Sequence, residues 1–230
     1  MYNKRELTTG EYYHIYSKSI AGYRIFNNPE EYKRIICAAF YYQFMETNLS
    51  ISNFFKTNDM QSFDFTEYEA SIKKPAQKYV SVGAFCLMPT HFHFVLRQLE
   101  DKGISFFMSR VLNSYTRYFN SKYRRQGPLW SGRFHSEHIS TDEQLCHVIR
   151  YIHLNPSTAF LVERPEDWEF SSYREFLGKS YPEHKFCDQD VIDLMPNQYK
   201  KFVDGQIEYQ RELAKARRFE NSDLRGENGG

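Results

Sequence analysis

Two histidines two residues apart, His91 and His93, interrupt an otherwise apolar run, Met88-Pro89-Thr90-His91-Phe92-His93-Phe94-Val95-Leu96, that reads as a β-strand. Side chains on a strand point to alternate faces, so the two imidazoles share one face and Phe92 and Phe94 take the other. Imidazole is the commonest metal-binding side chain near neutral pH, and two on one pleat face can hold one divalent ion. Two histidines underfill such a site, so a third side-chain oxygen is expected, and Asn155 can supply it. Tyr151 lies four residues earlier, and i, i+4 neighbours on a helix can act on one small object. A phenol with a pKa of about 10 becomes a nucleophile toward phosphate once a base takes its proton and a metal neutralises charge on the phosphate. Paired strand histidines also occur in cores, at interfaces and in unrelated metal enzymes, and most helix tyrosines are packing residues. The combination carries the reading.

These residues need a strand and a helix to position them. Residues 78–88 (Tyr79, Val80, Val82, Phe85, Leu87) and 92–96 are β-type runs separated by Pro89-Thr90, which predicts an antiparallel pair with a tight connection. The histidines then lie at the start of a strand, where the sheet meets solvent. Over 141–154 the spacing predicts a helix, capped by Ser140 or Thr141, with Asp142 and Glu143 in its first turn. At about 100° per residue, Leu145, Val148, Ile149 and Ile152 form its core-facing stripe. Gln144, His147, Tyr151 and Asn155 fall on a second stripe, at the rim of the core. Asn155-Pro156 should end the helix, because a residue before proline is pushed out of the helical region.

The rest of the chain supplies a frame. Residues 11–20 predict a first strand, in which His14 reads as a structural or exposed residue. Asn28-Pro29 opens a helix with Glu30 and Glu31 in its first turn, ending near Glu46. Residues 47–77 read as a loop or irregular insertion with a short helix, and no function is assigned to them. Residues 104–123 predict a long amphipathic helix, and residues 129–139 a short β-like stretch. Residues 171–177 read as a short helix, 178–185 as a linker, and 188–219 as helical and charged, before a disordered tail over the last ten residues.

The 230 residues carry a formal net charge of only +1, so charge over the whole chain points to no partner. Locally it does. From Lys102 to Ser136 there is no Asp or Glu, but there are Lys102, Arg110, Arg117, Lys122, Arg124, Arg125 and Arg133. Such a surface fits a polyanion, and Trp130 and Phe134 could stack on unpaired bases. A solvated helix face is the competing reading of the basic run. Cys37, Cys86, Cys146 and Cys187 are scattered and form neither a zinc motif nor a disulfide frame. No cleavable signal or apolar run of membrane-spanning length is read from the sequence, so a soluble, cytoplasmic protein without a membrane partner is expected.

Three motifs now line up: Cys86-Leu87-Met88-Pro89-Thr90-His91-Phe92-His93-Phe94, Gly127-Pro128-Leu129-Trp130-Ser131-Gly132-Arg133-Phe134, and Arg150-Tyr151-Ile152-His153-Leu154-Asn155-Pro156. Their sequence and order resemble the REP-associated tyrosine transposases and the insertion-sequence transposases of the IS-two-hundred type. Both lie in the His-hydrophobe-His single-strand nuclease superfamily. The resemblance covers about residues 5–178. It implies an α+β fold: a ferredoxin-like antiparallel sheet with helices packed on one face, here followed by a helical C-terminal extension. The corresponding units are residues 1–180 and 181–230.

The same resemblance implies that His91, His93 and Asn155 hold Mg²⁺ or Mn²⁺ and that Tyr151 attacks single-stranded, hairpin-associated DNA. The reaction would pass through a 5′-phosphotyrosine. Arg117, Lys122, Arg124, Arg125, Trp130 and Arg133 are expected DNA contacts, and Thr90 and His147 second-tier neighbours of the site. Thr90 departs from the pattern, since relatives usually carry Asn there. His147 can orient Tyr151 or act on its proton, or can be a rim histidine with no such duty. His135, His138 and His153 read as surface or structural residues. Relatives work as monomers or as homodimers that exchange the tyrosine helix, so both arrangements stay open. Two other functions compete: a DNA- or RNA-hairpin-binding protein that no longer cuts, and a metal-dependent hydrolase using His91, His93 and His135 or His138.

Overall fold

Strand β1 (Tyr12–Lys18), rich in aromatic and β-branched residues, is one of the two inner strands of a four-stranded sheet. Helix α1 (Pro29–Tyr42) follows, its N-terminus closed by the Asn28 side chain accepting from the Glu31 N–H, with Pro29 in the first turn. Two short helices, α2 (Ile51–Thr57) and α3 (Phe65–Ser71), occupy the segment read as an insertion. Strands β2 (Val80–Met88) and β3 (His91–Gln98) then pair antiparallel across Pro89-Thr90. Helix α4 (Gly103–Lys122) leads to β4 (His135–Ile139), and α5 (Asp142–Thr158) carries Tyr151. The chain continues through α6 (Tyr173–Phe176), α7 (Pro196–Asp204) and α8 (Ile207–Gly226). These elements come from a computed structural model that describes residues 7–47, 50–57, 65–71, 77–179 and 185–226. The end of the expected disordered tail, 227–230, and parts of the expected insertion and linker lie outside the described residues.

The strand order β2-β3-β1-β4, with every neighbour antiparallel, is the ferredoxin-like arrangement of a βαββαβ unit. One face of the sheet offers Tyr13, Ile15, Phe85, Leu87, Phe92, Phe94 and Leu96 to α1 and α4. The other face is covered too, which differs from the expected single helical layer. There Ala84, Cys86, Met88 and Val95 meet Leu145, Ile149 and Ile152 of α5, with Tyr199 and Val203 of α7 behind them. The reason lies in β2, whose side chains are apolar on both faces, and in Val95 of β3; uncovered, Cys86, Met88 and Val95 would meet water.

A register shift between Val82 and Ala84 lets Val82 and Phe85 share one face. Gly83 sits at this bulge. A Cβ there would come within 2.9 Å of Val191 Cγ2 and 3.1 Å of Val95 Cγ1, so glycine permits the C-terminal segment to cross the sheet closely.

Helix α5 runs through Pro156, not to Leu154 as the Asn-Pro step suggested. Packing overrides the local preference: Ile152, Leu154, Pro156 and Ser157 are all buried. The far end is held by Arg211 of α8, whose guanidinium donates to the carbonyls of Ser157, Val162 and Glu163.

No helix among the described residues is long and apolar enough to cross a membrane.

Candidate functional site

Because β1 pairs with both β3 and β4, its register decides what meets on the α5 face. Tyr16 lies opposite His93 and His135, Lys18 opposite His91, and His14 opposite Glu137. Residues directly opposite across an antiparallel pair point the same way. Glu137, His14, Tyr16 and His93 thus converge at the end of the sheet that α5 overhangs. With Gln144, His147, Val148 and Tyr151 from the helix they line a cleft of about 470 Å³.

The expected catalytic tyrosine and the expected metal-binding strand meet here within one chain. Tyr151 is 48% exposed, open to a large substrate, and its ring stands edge-on to His93 with centroids 5.9 Å apart. It is also edge-on to His14, at 6.2 Å. His91 and His93 lie 5.2 Å apart, ring to ring, at nearly right angles. Burial pushes the His91 imidazole down to about 4. Burial, aided by the neighbouring His91 and His14, holds His93 well below the usual histidine range. Both rings are therefore neutral near pH 7, the form with a lone pair to give a metal.

Their hydrogen bonds fit that use. His91 Nδ1 is 3.1 Å from Thr90 Oγ1, and His93 Nδ1 is 3.0 Å from His14 Nε2. Ligating histidines characteristically engage one ring nitrogen with a neighbour and present the other to the ion. Asn155 is half-buried, and its Nδ2 donates to the Tyr151 carbonyl at 2.9 Å, which leaves its amide oxygen without a hydrogen bond to that carbonyl and able to accept. Asn155 does not line the cleft described above. Among the described residues no group of three or more His, Cys, Asp and Glu side chains is placed to hold a metal. The donor set thus fits a divalent ion held by two neutral imidazoles and an amide oxygen.

Several expected contacts are placed otherwise. Trp130 is buried, stacked edge-on to Phe92 at 5.3 Å, and its indole N–H donates to Thr116 Oγ1. This corrects its reading as a base-stacking residue: it is a core side chain with its one donor satisfied. Lys122 pairs at 2.8 Å with the buried carboxylate of Glu31, and Arg125 donates to Asn120 and to the carbonyls of Gly127 and Pro128. Both tie down the end of α4. Arg117, Arg124 and Arg133 are exposed, and Phe134 is half-buried beside Arg133 in a groove along α4.

The histidines outside the pair also separate. His147 accepts from Arg150 at 2.9 Å and lies against Phe202 of α7. His135 stacks on Tyr16 at 5.1 Å. His138 lies opposite Tyr13, on the other face of the sheet, bonded to Glu11, which removes it from a metal centre shared with His93. His153 is fully buried, bridging Ser172 and Tyr199, and burial lowers it to about 3.

His14, Tyr16 and Glu137 are the site residues that the sequence reading missed. The signal was present in part: Tyr12, His14, Tyr16 and Lys18 alternate on one face of β1. What linked them to the histidine pair was strand register, which the intervening chain does not encode locally.

Comparison with known proteins agrees with the motifs. Residues 53–155 match the family model described as "Transposase IS200 like". The matched segment contains His91, His93, Tyr151 and Asn155 and excludes β1 and everything after Asn155. A solved structure described as "Structure of the REP associates tyrosine transposase bound to a REP hairpin" aligns with a TM-score of 0.49 and 16% identity. The alignment covers 84% of this chain and 94% of that chain. No curated protein matches the chain.

Proposed function

We propose, from the likeness of residues 53–155 to the IS200-like transposases, that this protein cuts and rejoins single-stranded, hairpin-associated DNA in the cytoplasm, with Tyr151 as the nucleophile. The observation that carries the reading is the placement of the exposed Tyr151 ring 5.9 Å from that of His93, at the mouth of one cleft. His91 and His93, with Asn155, would hold Mg²⁺ or Mn²⁺, and the bound ion would neutralise charge on the scissile phosphate.

The chain's own residues then do the following. Burial keeps His91 and His93 neutral near pH 7, and Thr90 and His14 fix their rings. The rim position of Tyr151 leaves its phenol open to a strand entering from solvent. Its oxygen bonds to phosphorus as the bond to the 3′-oxygen of the preceding nucleotide breaks. The phenol gives up a proton and the departing 3′-oxygen gains one. The products are a 5′-phosphotyrosine and a free 3′-hydroxyl. Attack by a DNA 3′-hydroxyl reverses the step, releasing the phenol and rejoining strands. Because one phosphodiester replaces another, no nucleotide triphosphate is required. The exposed Arg117, Arg124 and Arg133 would follow the DNA backbone.

Incubating the protein with labelled single-stranded hairpin DNA and Mg²⁺ should give a covalent adduct on a denaturing gel, lost in Tyr151→Phe. An adduct that survives Tyr151→Phe would sink this reading. Tight hairpin binding with no adduct in the wild type would favour a binding protein that does not cut.

A further inference from the structure

We infer that His14 is a positioning residue of this site, fixing His93 in the tautomer that carries its proton on Nδ1 and its lone pair on Nε2. The inference deepens the proposed function and rests on His93 being a ligand. His14 lies on β1, outside the segment that matches the family.

The geometry carries it. His14 and His93 are both buried, their rings nearly parallel at 20°, with His14 Nε2 3.0 Å from His93 Nδ1. A hydrogen bond between two neutral imidazoles needs one nitrogen protonated and the other bare. Which is which is set at the far end of His14. Its Nδ1 faces the Glu137 carboxylate at 3.8 Å, and Glu137 is anchored by the Tyr16 hydroxyl, which donates to the other carboxylate oxygen at 2.8 Å. A carboxylate favours a proton on the nitrogen nearest to it. With that proton on His14 Nδ1, His14 Nε2 can only accept, so His93 Nδ1 must donate. His93 Nε2 is left bare.

Glu137, His14 and His93 come from β4, β1 and β3, so the chain of contacts crosses three strands of one sheet. A histidine that merely filled space between Tyr16 and Tyr151 would impose no tautomer on His93.

The first test uses the full chain without metal. Long-range ¹H–¹⁵N spectra at pH 7.5 should show both His14 and His93 protonated on Nδ1. His93 protonated on Nε2 in the wild type would overturn the inference, and this measurement needs no variant. His14→Phe keeps a ring but offers no acceptor, and should shift His93 toward the Nε2-protonated form. His14→Gln keeps an acceptor at similar reach and should restore the wild-type tautomer.

The second test is Mn²⁺ titration. His14→Phe should weaken binding by about 10-fold or more, and His14→Gln should stay within about 3-fold of the wild type. Wild-type affinity in His14→Phe, or equal loss in both variants, would overturn the inference. His93→Ala is the control. If it binds Mn²⁺ as the wild type does, the proposed metal site fails, while the tautomer of His93 still decides the role of His14 separately.

Discussion

The Tyr151 ring stands at 83° to the His93 imidazole, with 5.9 Å between centroids, inside a single polypeptide. Helix α5 is seated by its own core residues, Leu145, Ile149 and Ile152, against β2 and β3. No exchange of the tyrosine helix between subunits is needed to assemble the two halves.

A site assembled within one chain predicts the behaviour of mixed variants. Tyr151→Phe and His93→Ala proteins should each form no DNA adduct, and an equimolar mixture should form none either. Adduct appearing in the mixture on a denaturing gel would mean that Tyr151 of one subunit serves the histidines of another.

Trp130 separates packing from recognition. Truncating a fully packed tryptophan removes its contacts with Phe92 and Tyr115 and leaves a cavity. Trp130→Ala is expected to lower unfolding free energy by about 3–5 kcal/mol in urea denaturation. A variant as stable as the wild type but defective in DNA binding would return Trp130 to the interface.

Among the basic residues, Lys122 and Arg117 should behave oppositely. The Glu31 carboxylate is completely buried and also accepts from Tyr123 and from the Asn27 N–H. Lys122→Met should therefore cost about 1–3 kcal/mol of stability, measured by thermal or urea unfolding. Arg117→Ala and Arg133→Ala, both at exposed positions, should change stability by less than about 0.5 kcal/mol. Each should instead reduce the salt dependence of hairpin binding by about one unit of slope. Unchanged slopes would remove these two arginines from the DNA path.

His153 gives a pH dependence with a defined sign. Its folded-state value is about 3 because of burial, against 6.5 for the free side chain, so between these pH values the unfolded chain binds the extra proton. The contribution is fully present above pH 6.5 and is lost progressively as pH falls toward 3. One such proton corresponds to about 1.4 kcal/mol per pH unit. Chemical denaturation at pH 7.5 and 5 should show this loss in the wild type and a shallower loss in His153→Gln. Equal slopes would mean that His153 takes up no proton on unfolding.

The sequence by itself determined the elements and the chemistry-bearing residues wherever the signal was local. The strand alternation of His91 and His93, the Pro89-Thr90 turn and the two stripes of α5 are patterns of period 2 and 3.6, and each is set by neighbours within a few residues. The family likeness is local too, resting on short motifs that include the residues of both halves of the site.

Tertiary structure alone decided which elements share a face. Whether Trp130 meets a base or Phe92 depends on how its segment, bridged to Ser19, sits against α4, and the same aromatic composition serves either role. Pro156 is a helix stop by backbone preference, but the burial of Ile152, Leu154 and Ser157 carries α5 past it. The layer on the second face of the sheet follows from Ala84, Cys86 and Met88 of β2 lying beside Val95 of β3, which strand pairing decides. His14 joined the site because β1 inserts between β3 and β4 in a register that sets it opposite Glu137 and within hydrogen-bonding distance of His93. That register joins residues about 80 and 120 positions apart in sequence. Hydrogen bonding across strands and the packing of two faces fix it, and no pattern within either segment records it.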